Sequence, residues 1–402
     1  MAGLNETPRG NRIRIAFFGL RNAGKSTLVN AFTGQQIAIV SDVPGTTTDP
    51  VSKAMEILPL GPCLVTDTAG LDDEGELGTM RVEKTLKVLE TTDIAVWVWG
   101  DASSLKRKGF RFSTFEDECK KRNVVLLEYR RGDSVEELKK KIAAVKLEEK
   151  VPGLLDGLVE KGDRVLCVCP IDESAPKGRL ILPQVQVIRE CLDKGGVVTV
   201  CQPEDLFDCS DCSIEGLQNR KGRLLVVTDS QAFGVVYEGV ERLRRTIEQS
   251  NNQNNQTIAL TSFSVLFARQ KGDLDEFARG LEAIKGLKDG DTVLVAEGCT
   301  HHRQCNDIGT VKIPKAIEKL SGKKLKFEFA SGGGFLDSCA LLTSGKDSAS
   351  PLKIVVHCGG CMLTRREMLR RIALAKEAGI PIVNYGLLLA MANGIDVERL
   401  RV

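Results

Sequence analysis

Two short stretches at opposite ends of the chain carry residue types at spacings that could do chemistry. Near the amino end, Gly19 to Ser26 reads GLRNAGKS, which matches G-x-x-x-x-G-K-[ST] after a strand-like run and before a helical pattern. Such a loop curls on its glycines so that successive backbone N–H groups point at a phosphate, at a helix N-terminus that favours anions. In it Lys25 would neutralise β- and γ-phosphate oxygens and Ser26 would ligate Mg²⁺. Near the carboxyl end, His357-Cys358-Gly359-Gly360-Cys361 joins a histidine to a Cys-x-x-Cys pair. Upstream, EGCTHHRQCND supplies Cys299, His301, His302 and Cys305, so all 3 histidines of the chain fall in these two segments.

The thiols allow three chemistries. A redox dithiol needs one Cys-x-x-Cys and gives no reason for the Cys-x-His upstream. Structural zinc takes four Cys or His ligands in a tetrahedron. An iron–sulfur cluster held by three thiolates, with a weaker or exchangeable fourth ligand, is equally compatible. Spacing does not separate the last two. Cys209-Ser-Asp-Cys212 has no partner pair and no nearby histidine, and reads as a loop pair without function. Cys63, Cys167, Cys169, Cys191 and Cys201 lie in apolar runs and read as small core residues.

Two further segments accompany the phosphate loop. Asp67-Thr68-Ala69-Gly70 follows the apolar CLV, with Asp67 acting through a metal-bound water and the Gly70 amide meeting the γ-phosphate. Between the two motifs lies SDVPGTTTDP, a Thr-rich stretch fit for a switch loop, in which Thr47 is the choice for the Mg²⁺-binding hydroxyl and Thr46 and Thr48 are its rivals. The nucleotide-binding set is then Gly19, Asn22, Ala23, Gly24, Lys25, Ser26, Thr27, Thr47, Asp67 and Gly70.

These residues need elements to position them. IRIAFFG, PCLVTDTAG, DIAVWVWG and NVVLLEY are short, apolar and bounded by turn residues, and read as buried strands alternating with helices. They make residues 1–150 a domain of parallel sheet wrapped by helices, closed by the charged amphipathic helix EELKKKIAAVKLEEK, with VPGLLDG as the linker that follows. A second α/β block spans residues 158–256 and ends at QSNNQNNQT, a polar low-complexity stretch that cannot build a core. The third, residues 257–402, holds DTVLVAEG, KIVVHCGG and GIPIVNYG as strands, so that both cysteine segments leave neighbouring strand ends. The fold class expected is α/β in three domains.

With 402 residues, 42% hydrophobic and 27% charged, the composition is that of a globular protein of two or three domains. A net charge of +2 gives no strong attraction to nucleic acid or anionic membrane. No run approaches a membrane span and the first residues lack a secretory pattern, so a cytoplasmic protein with reduced thiols is expected.

The phosphate loop, DTAG and GTTTD resemble the translation-factor-like GTPases, particularly the branch with the tRNA-modification GTPase and Era-type proteins. That resemblance implies GTP and Mg²⁺ as ligands. It also implies a K⁺ ion bound with the help of Asn22, which makes Lys25, Asp67 and Asn22 the catalytic set. Leu71 stands where a glutamine would orient water, so hydrolysis should be slow. Where such GTPases read guanine with Asn-Lys-x-Asp, this chain has Arg130-Arg131-Gly132-Asp133; either Asp133 reads the base or the motif is lost in a shortened domain.

The Cys-x-His and His-Cys-x-x-Cys segments, together with APKGRLILPQVQ, TDSQAF and LTSFSVLFARQKGDL, resemble the FeFe-hydrogenase maturation GTPase family over almost the whole chain. The resemblance implies a P-loop GTPase domain, an α/β dimerisation domain and an α/β iron–sulfur domain. It also implies a 4Fe-4S cluster on Cys299, Cys358 and Cys361, with His301, His357, Cys305, Asp307 or an exchangeable group at the fourth iron. By the same resemblance the protein is a homodimeric scaffold that receives components from two radical-SAM maturases. It would hold the precursor of the two-iron subcluster and pass it to apo FeFe-hydrogenase, with no nucleic acid or membrane partner. The rival class is an RNA- or tRNA-acting GTPase with a zinc-stabilised accessory domain.

Overall fold

The computed structural model describes residues 7, 9–34, 51–71, 76–100, 112–147, 151–171, 180–206, 222–249, 257–298, 307–332, 335 and 352–395. The chain divides into two units, residues 1–150 and 151–402.

The first unit runs β1 (Ile13–Phe18), α1 (Lys25–Thr33), β2 (Val51–Ile57), β3 (Gly61–Asp67), α2 (Glu76–Thr91), β4 (Ile94–Trp99), α3 (Phe112–Lys121), β5 (Val125–Arg130) and α4 (Val135–Ala143). The strands form one sheet in the order β2-β3-β1-β4-β5, with β2 antiparallel to β3 and every other pair parallel. Parallel strands covered on both faces read as continuous apolar runs, and β1 and β4 do so for that reason. Ile15, Phe17, Ile94 and Val96 pack on Leu28 and Phe32 of α1 and on Leu138 and Ile142 of α4. The alternate residues Ala16, Phe18, Ala95 and Trp97 meet Phe115 and Cys119 of α3 and Leu89 of α2 on the opposite face.

The second unit runs β6 (Arg164–Val168), α5 (Leu182–Asp193), β7 (Val197–Cys201), β8 (Arg223–Thr228), α6 (Phe233–Gln249), β9 (Thr257–Ser262), α7 (Phe263–Lys271) and α8 (Leu274–Ala283). It continues with β10 (Thr292–Glu297), α9 (Ile313–Ser321), β11 (Lys326–Ser331), β12 (Leu352–His357), α10 (Arg365–Glu377), β13 (Ile382–Asn384) and α11 (Tyr385–Ala392). Its strands make two all-parallel sheets, β7-β6-β8-β9 and β11-β10-β12-β13. The sheets share a core, in which Leu166, Val226 and Leu260 of one cluster with Val293, Val295 and Val355 of the other. Helix α7 links them. Val265 and Ala268 enter the shared core, whereas Phe263, Leu266 and Phe267 pack with Cys167 and Val227.

Two boundaries differ from the sequence expectation. Residues 257–262, expected to open the third domain, form β9 and pair with β8 in the second sheet, so the division between the two sheets falls at Gly272–Asp273 after α7. VPGLLDG is not a linker: Leu154 and Leu155 are buried beside Leu158, Val159 and Val187. Their backbone amides donate to the Glu190 carboxylate at 2.7 and 2.9 Å, which ties the segment to α5. A short apolar pair between polar residues carries no local sign of such long-range contacts.

Candidate functional site

The first site forms where β1 ends and α1 begins. Gly24, the residue before α1, has φ 89°, and Asn22 has φ 60°; a short polar side chain tolerates that left-handed conformation as few others do. The turn leaves α1 with no side-chain cap among its described contacts, as suits a helix start that meets a phosphate. Lys25 is buried, and its Nζ donates to the carbonyl oxygens of Leu20 and Gly19 at 2.9 and 3.2 Å, folding the side chain back over the loop. Ala23 is buried, whereas Asn22 and Thr27 are exposed.

Ser26 and Asp67, separated by 41 residues, meet directly: Ser26 Oγ donates to Asp67 Oδ2 at 2.6 Å. Asp67 is fully buried at the end of β3, and its Oδ1 has no hydrogen-bond partner. Burial pushes the Asp67 carboxyl above the usual carboxylate range, against the opposing pull of the Ser26 hydroxyl and the Lys25 ammonium. A hydroxyl, an orphaned carboxylate oxygen and a buried ammonium together are a donor set that fits Mg²⁺ and phosphate. The following DTAG residues close on the same loop, because the Leu71 amide donates to Gly19 O at 3.3 Å. A Cβ built on Gly70 would stand 2.9 Å from the Arg21 backbone.

Asp133 lies at the carboxyl end of β5, on the same edge of the parallel sheet as the phosphate loop. Its Oδ2 accepts from the Arg130 amide at 2.8 Å and its carbonyl accepts from the Tyr129 hydroxyl at 2.9 Å, so it shapes an exposed turn. Thr46, Thr47 and Thr48 lie outside the described residues.

The second site lies at the carboxyl ends of β10 and β12, which are parallel neighbours with Ala296 opposite His357. Cys358 Sγ accepts from the amides of Gly298 at 3.1 Å and Gly360 at 3.4 Å, and the Cys358 amide donates to Ala296 O at 2.9 Å. Backbone amides aimed at a sulfur favour its thiolate form. Burial pushes the Cys361 thiol up, while the Lys271 ammonium and nearby amides pull it down. That donor set fits a soft, thiolate-binding metal centre. Among the described residues alone, no three metal-binding side chains are gathered at one point. Cys299, His301, His302, Cys305, Cys209 and Cys212 lie outside them.

His357, a candidate for the fourth iron, is otherwise engaged. It is fully buried, with Nε2 at 3.0 Å from Arg371 Nη1 and Nδ1 at 2.8 Å from Cys358 O. A guanidinium only donates, so Nε2 accepts and Nδ1 carries the proton toward the carbonyl. Burial, and then the Arg371 charge, push its pKa down to about 3, and neither nitrogen is left for a metal. Asp307 receives the Thr310 amide at 3.1 Å and its hydroxyl at 3.2 Å, capping residues 308–312.

Two residues of this site escaped sequence reading. Arg371 is buried on α10 and also donates to Gly332 O at 2.7 Å. Lys271, buried at the end of α7, donates to the carbonyls of Leu363, Cys361 and Gly360 at 2.7, 3.0 and 3.4 Å. A lysine closing an apolar helix was the available signal for the second; Arg371 sits in a charged helix and gave none.

Among the described residues no helix is long and apolar enough to cross a membrane. Compared with known proteins, residues 14–129 match a family described as 50S ribosome-binding GTPase. The tRNA modification GTPase MnmE of Methylobacterium sp. (strain 4-46) is 39% identical over 104 residues, 24% of this chain and 24% of that protein. GTPase Der of Wolinella succinogenes is 41% identical over 98 residues, 24% of this chain and 20% of that protein. The chain thus spans about a quarter or less of these relatives' length. A solved Aquifex aeolicus Era bound to GDP.AlF4- aligns with 80% of this chain and 94% of its own at 16% identity, with a TM-score of 0.25, too low to bear on the fold. The first unit is a GTPase domain. Residues 154–272 match the hydrogen maturase F dimerization domain and residues 275–401 its tetramerization domain, which together span more than half of the chain. The chain therefore belongs to the hydrogen maturase F family.

Proposed function

We propose that this protein is a scaffold and carrier: it holds the precursor of the two-iron subcluster of an FeFe-hydrogenase and delivers it to the apo-enzyme. The precursor is cargo, received from two radical-SAM maturases. The resident group would be a 4Fe-4S cluster on Cys299, Cys358 and Cys361. The observation that carries this reading is the paired donation of Gly298 and Gly360 amides to Cys358 Sγ, since Gly298 immediately precedes Cys299 in the chain. With His357 locked to Arg371 and Cys358, the fourth iron falls to His301, Cys305, Asp307 or an exchangeable group. When bound, such a cluster supplies an iron whose outer position can bridge cargo and release it without breaking a thiolate bond.

In the first unit Lys25 would neutralise phosphate oxygens, Ser26 and Asp67 would hold Mg²⁺, and Asn22 would hold K⁺. Asp133 is the proposed guanine contact. With Leu71 where a water-orienting glutamine would stand, turnover is slow and depends on potassium. Self-association follows from the two hydrogen maturase F domains, and the same domains favour this reading over an RNA-acting GTPase with a zinc-stabilised accessory domain.

Anaerobic purification with iron and sulfide quantification tests it. Wild type should be brown, and Cys299→Ala, Cys358→Ala and Cys361→Ala should each lose most of their iron. Cys209→Ala and Cys212→Ala should keep theirs. Full iron in Cys358→Ala, or stoichiometric zinc without iron in wild type, would refute the assignment.

A further inference from the structure

We infer that Lys271 is a positioning and charge-setting residue for the cysteine loop, acting from the dimerization domain on the metal centre of the next domain. The inference rests on the cluster reading above. Lys271 is 1% exposed, and its three N–H donors meet three carbonyl oxygens of one short loop, those of Gly360, Cys361 and Leu363. Its Nζ also stands 5.0 Å from the centroid of the Phe267 ring, one turn back on α7. The three carbonyls lie 89, 92 and 90 residues away for Gly360, Leu363 and Cys361, so these bonds join separate parts of the chain. They also cross the boundary between the matched dimerization segment, residues 154–272, and the tetramerization segment, residues 275–401.

Holding the loop needs donors; it does not need a charge. Three thiolates around a 4Fe-4S core carry net negative charge, and taking up one electron adds another unit without forming or breaking a bond. A fixed cation beside Cys361 stabilises the more negative state more, because Coulomb energy scales with the charge it faces and is weakly screened in a buried site. Lys271 therefore raises the cluster's reduction potential, as outer-shell charge does at such centres. Its three bonds also hold the backbone of the short loop that carries Cys361.

Two variants separate charge from positioning. Lys271→Gln keeps hydrogen-bond donors and loses the charge; Lys271→Met loses both and fills a similar volume. Each full-length protein is reconstituted anaerobically, its iron and GTP turnover are measured, and the cluster is titrated with dithionite, the one-electron source, under EPR. Both variants should show a midpoint potential more negative than wild type, with GTP turnover unchanged. Lys271→Met should in addition lose its cluster to a chelator at least tenfold faster, with Lys271→Gln between it and wild type. If Lys271→Met does not fold, the potential of Lys271→Gln decides alone. A Lys271→Gln protein with full iron and the wild-type potential would overturn the inference while leaving the cluster reading intact. A wild type that holds zinc and no iron would overturn both.

Discussion

Replacing Asp67 by asparagine should move the metal-free and the nucleotide-bound first unit in opposite directions. The carboxylate is fully buried, with Oδ2 taken by Ser26 and Oδ1 unpartnered. Without a metal, burial makes this an unfavourable place for negative charge, which is why its pKa is raised although Ser26 and Lys25 both favour the ionised form. Asparagine keeps the shape and an acceptor for Ser26 and removes the charge. An unsatisfied buried polar atom costs about 1–3 kcal/mol; the asparagine amide leaves donors of its own there, so the gain is about 1 kcal/mol. In a unit of residues 1–150 that corresponds to a Tm higher by roughly 2–4 °C.

The ligand side has the reverse sign. Mg²⁺ and a GTP analogue at about 100 times Kd stabilise wild type by about 2.7 kcal/mol, roughly 5–11 °C. Without its carboxylate the variant should lose most of that shift. The pH dependence follows from the same shift. A carboxyl whose folded pKa is raised contributes stability in full below its unfolded value of about 3.9, and loses it as pH rises through the higher folded value. Metal-free wild type should therefore gain on Asp67→Asn as pH falls from 8 toward 4. Differential scanning calorimetry of the full chain, with and without Mg²⁺ and a non-hydrolysable analogue at several pH values, measures all three effects. An Asp67→Asn protein that melts below wild type in Mg²⁺-free buffer and keeps the full nucleotide shift would refute the reasoning.

GTP turnover should be faster in KCl than in NaCl for wild type and insensitive to the salt in Asn22→Ala; equal wild-type rates would remove the potassium site. Asp133→Asn should weaken GTP by ~2–3 kcal/mol, the loss of a charged hydrogen-bonded contact, and improve binding of xanthosine triphosphate. Unchanged preference would confine Asp133 to the turn it makes with Arg130. Gly360 has φ +67°, and a Cβ there would stand 2.4 Å from Met368 Cε. Gly360→Ala should cost the second unit ~1–2 kcal/mol, a Tm loss of roughly 2–8 °C by calorimetry; a wild-type Tm would mean the loop bends freely.

Much of the first site was legible because its signals are local. GLRNAGKS carries its glycines, lysine and serine within eight positions, and DTAG directly follows an apolar run, so strand, turn and helix could all be read from neighbours. The same locality made β1, β3, β4 and β5 readable, since each is a short apolar run bounded by turn residues. That the two cysteine segments follow neighbouring strands was readable for a similar reason, and β10 and β12 do end beside each other.

The chain by itself determined which residues could bind a phosphate or a metal; only the tertiary structure decided which of them are available and what surrounds them. Nothing near His357 in the sequence says that Arg371, 14 residues on and midway along α10, will occupy its Nε2 and close it to a metal. Nothing around Lys271 says that its partners lie about ninety residues on. The strand at 257–262 looked like the start of a new domain because a polar stretch precedes it, yet it pairs with β8, some thirty residues earlier. Local pattern sets whether a segment is buried and with what period; which partner buries it depends on contacts between distant residues, and those are specified by the packing of the whole unit.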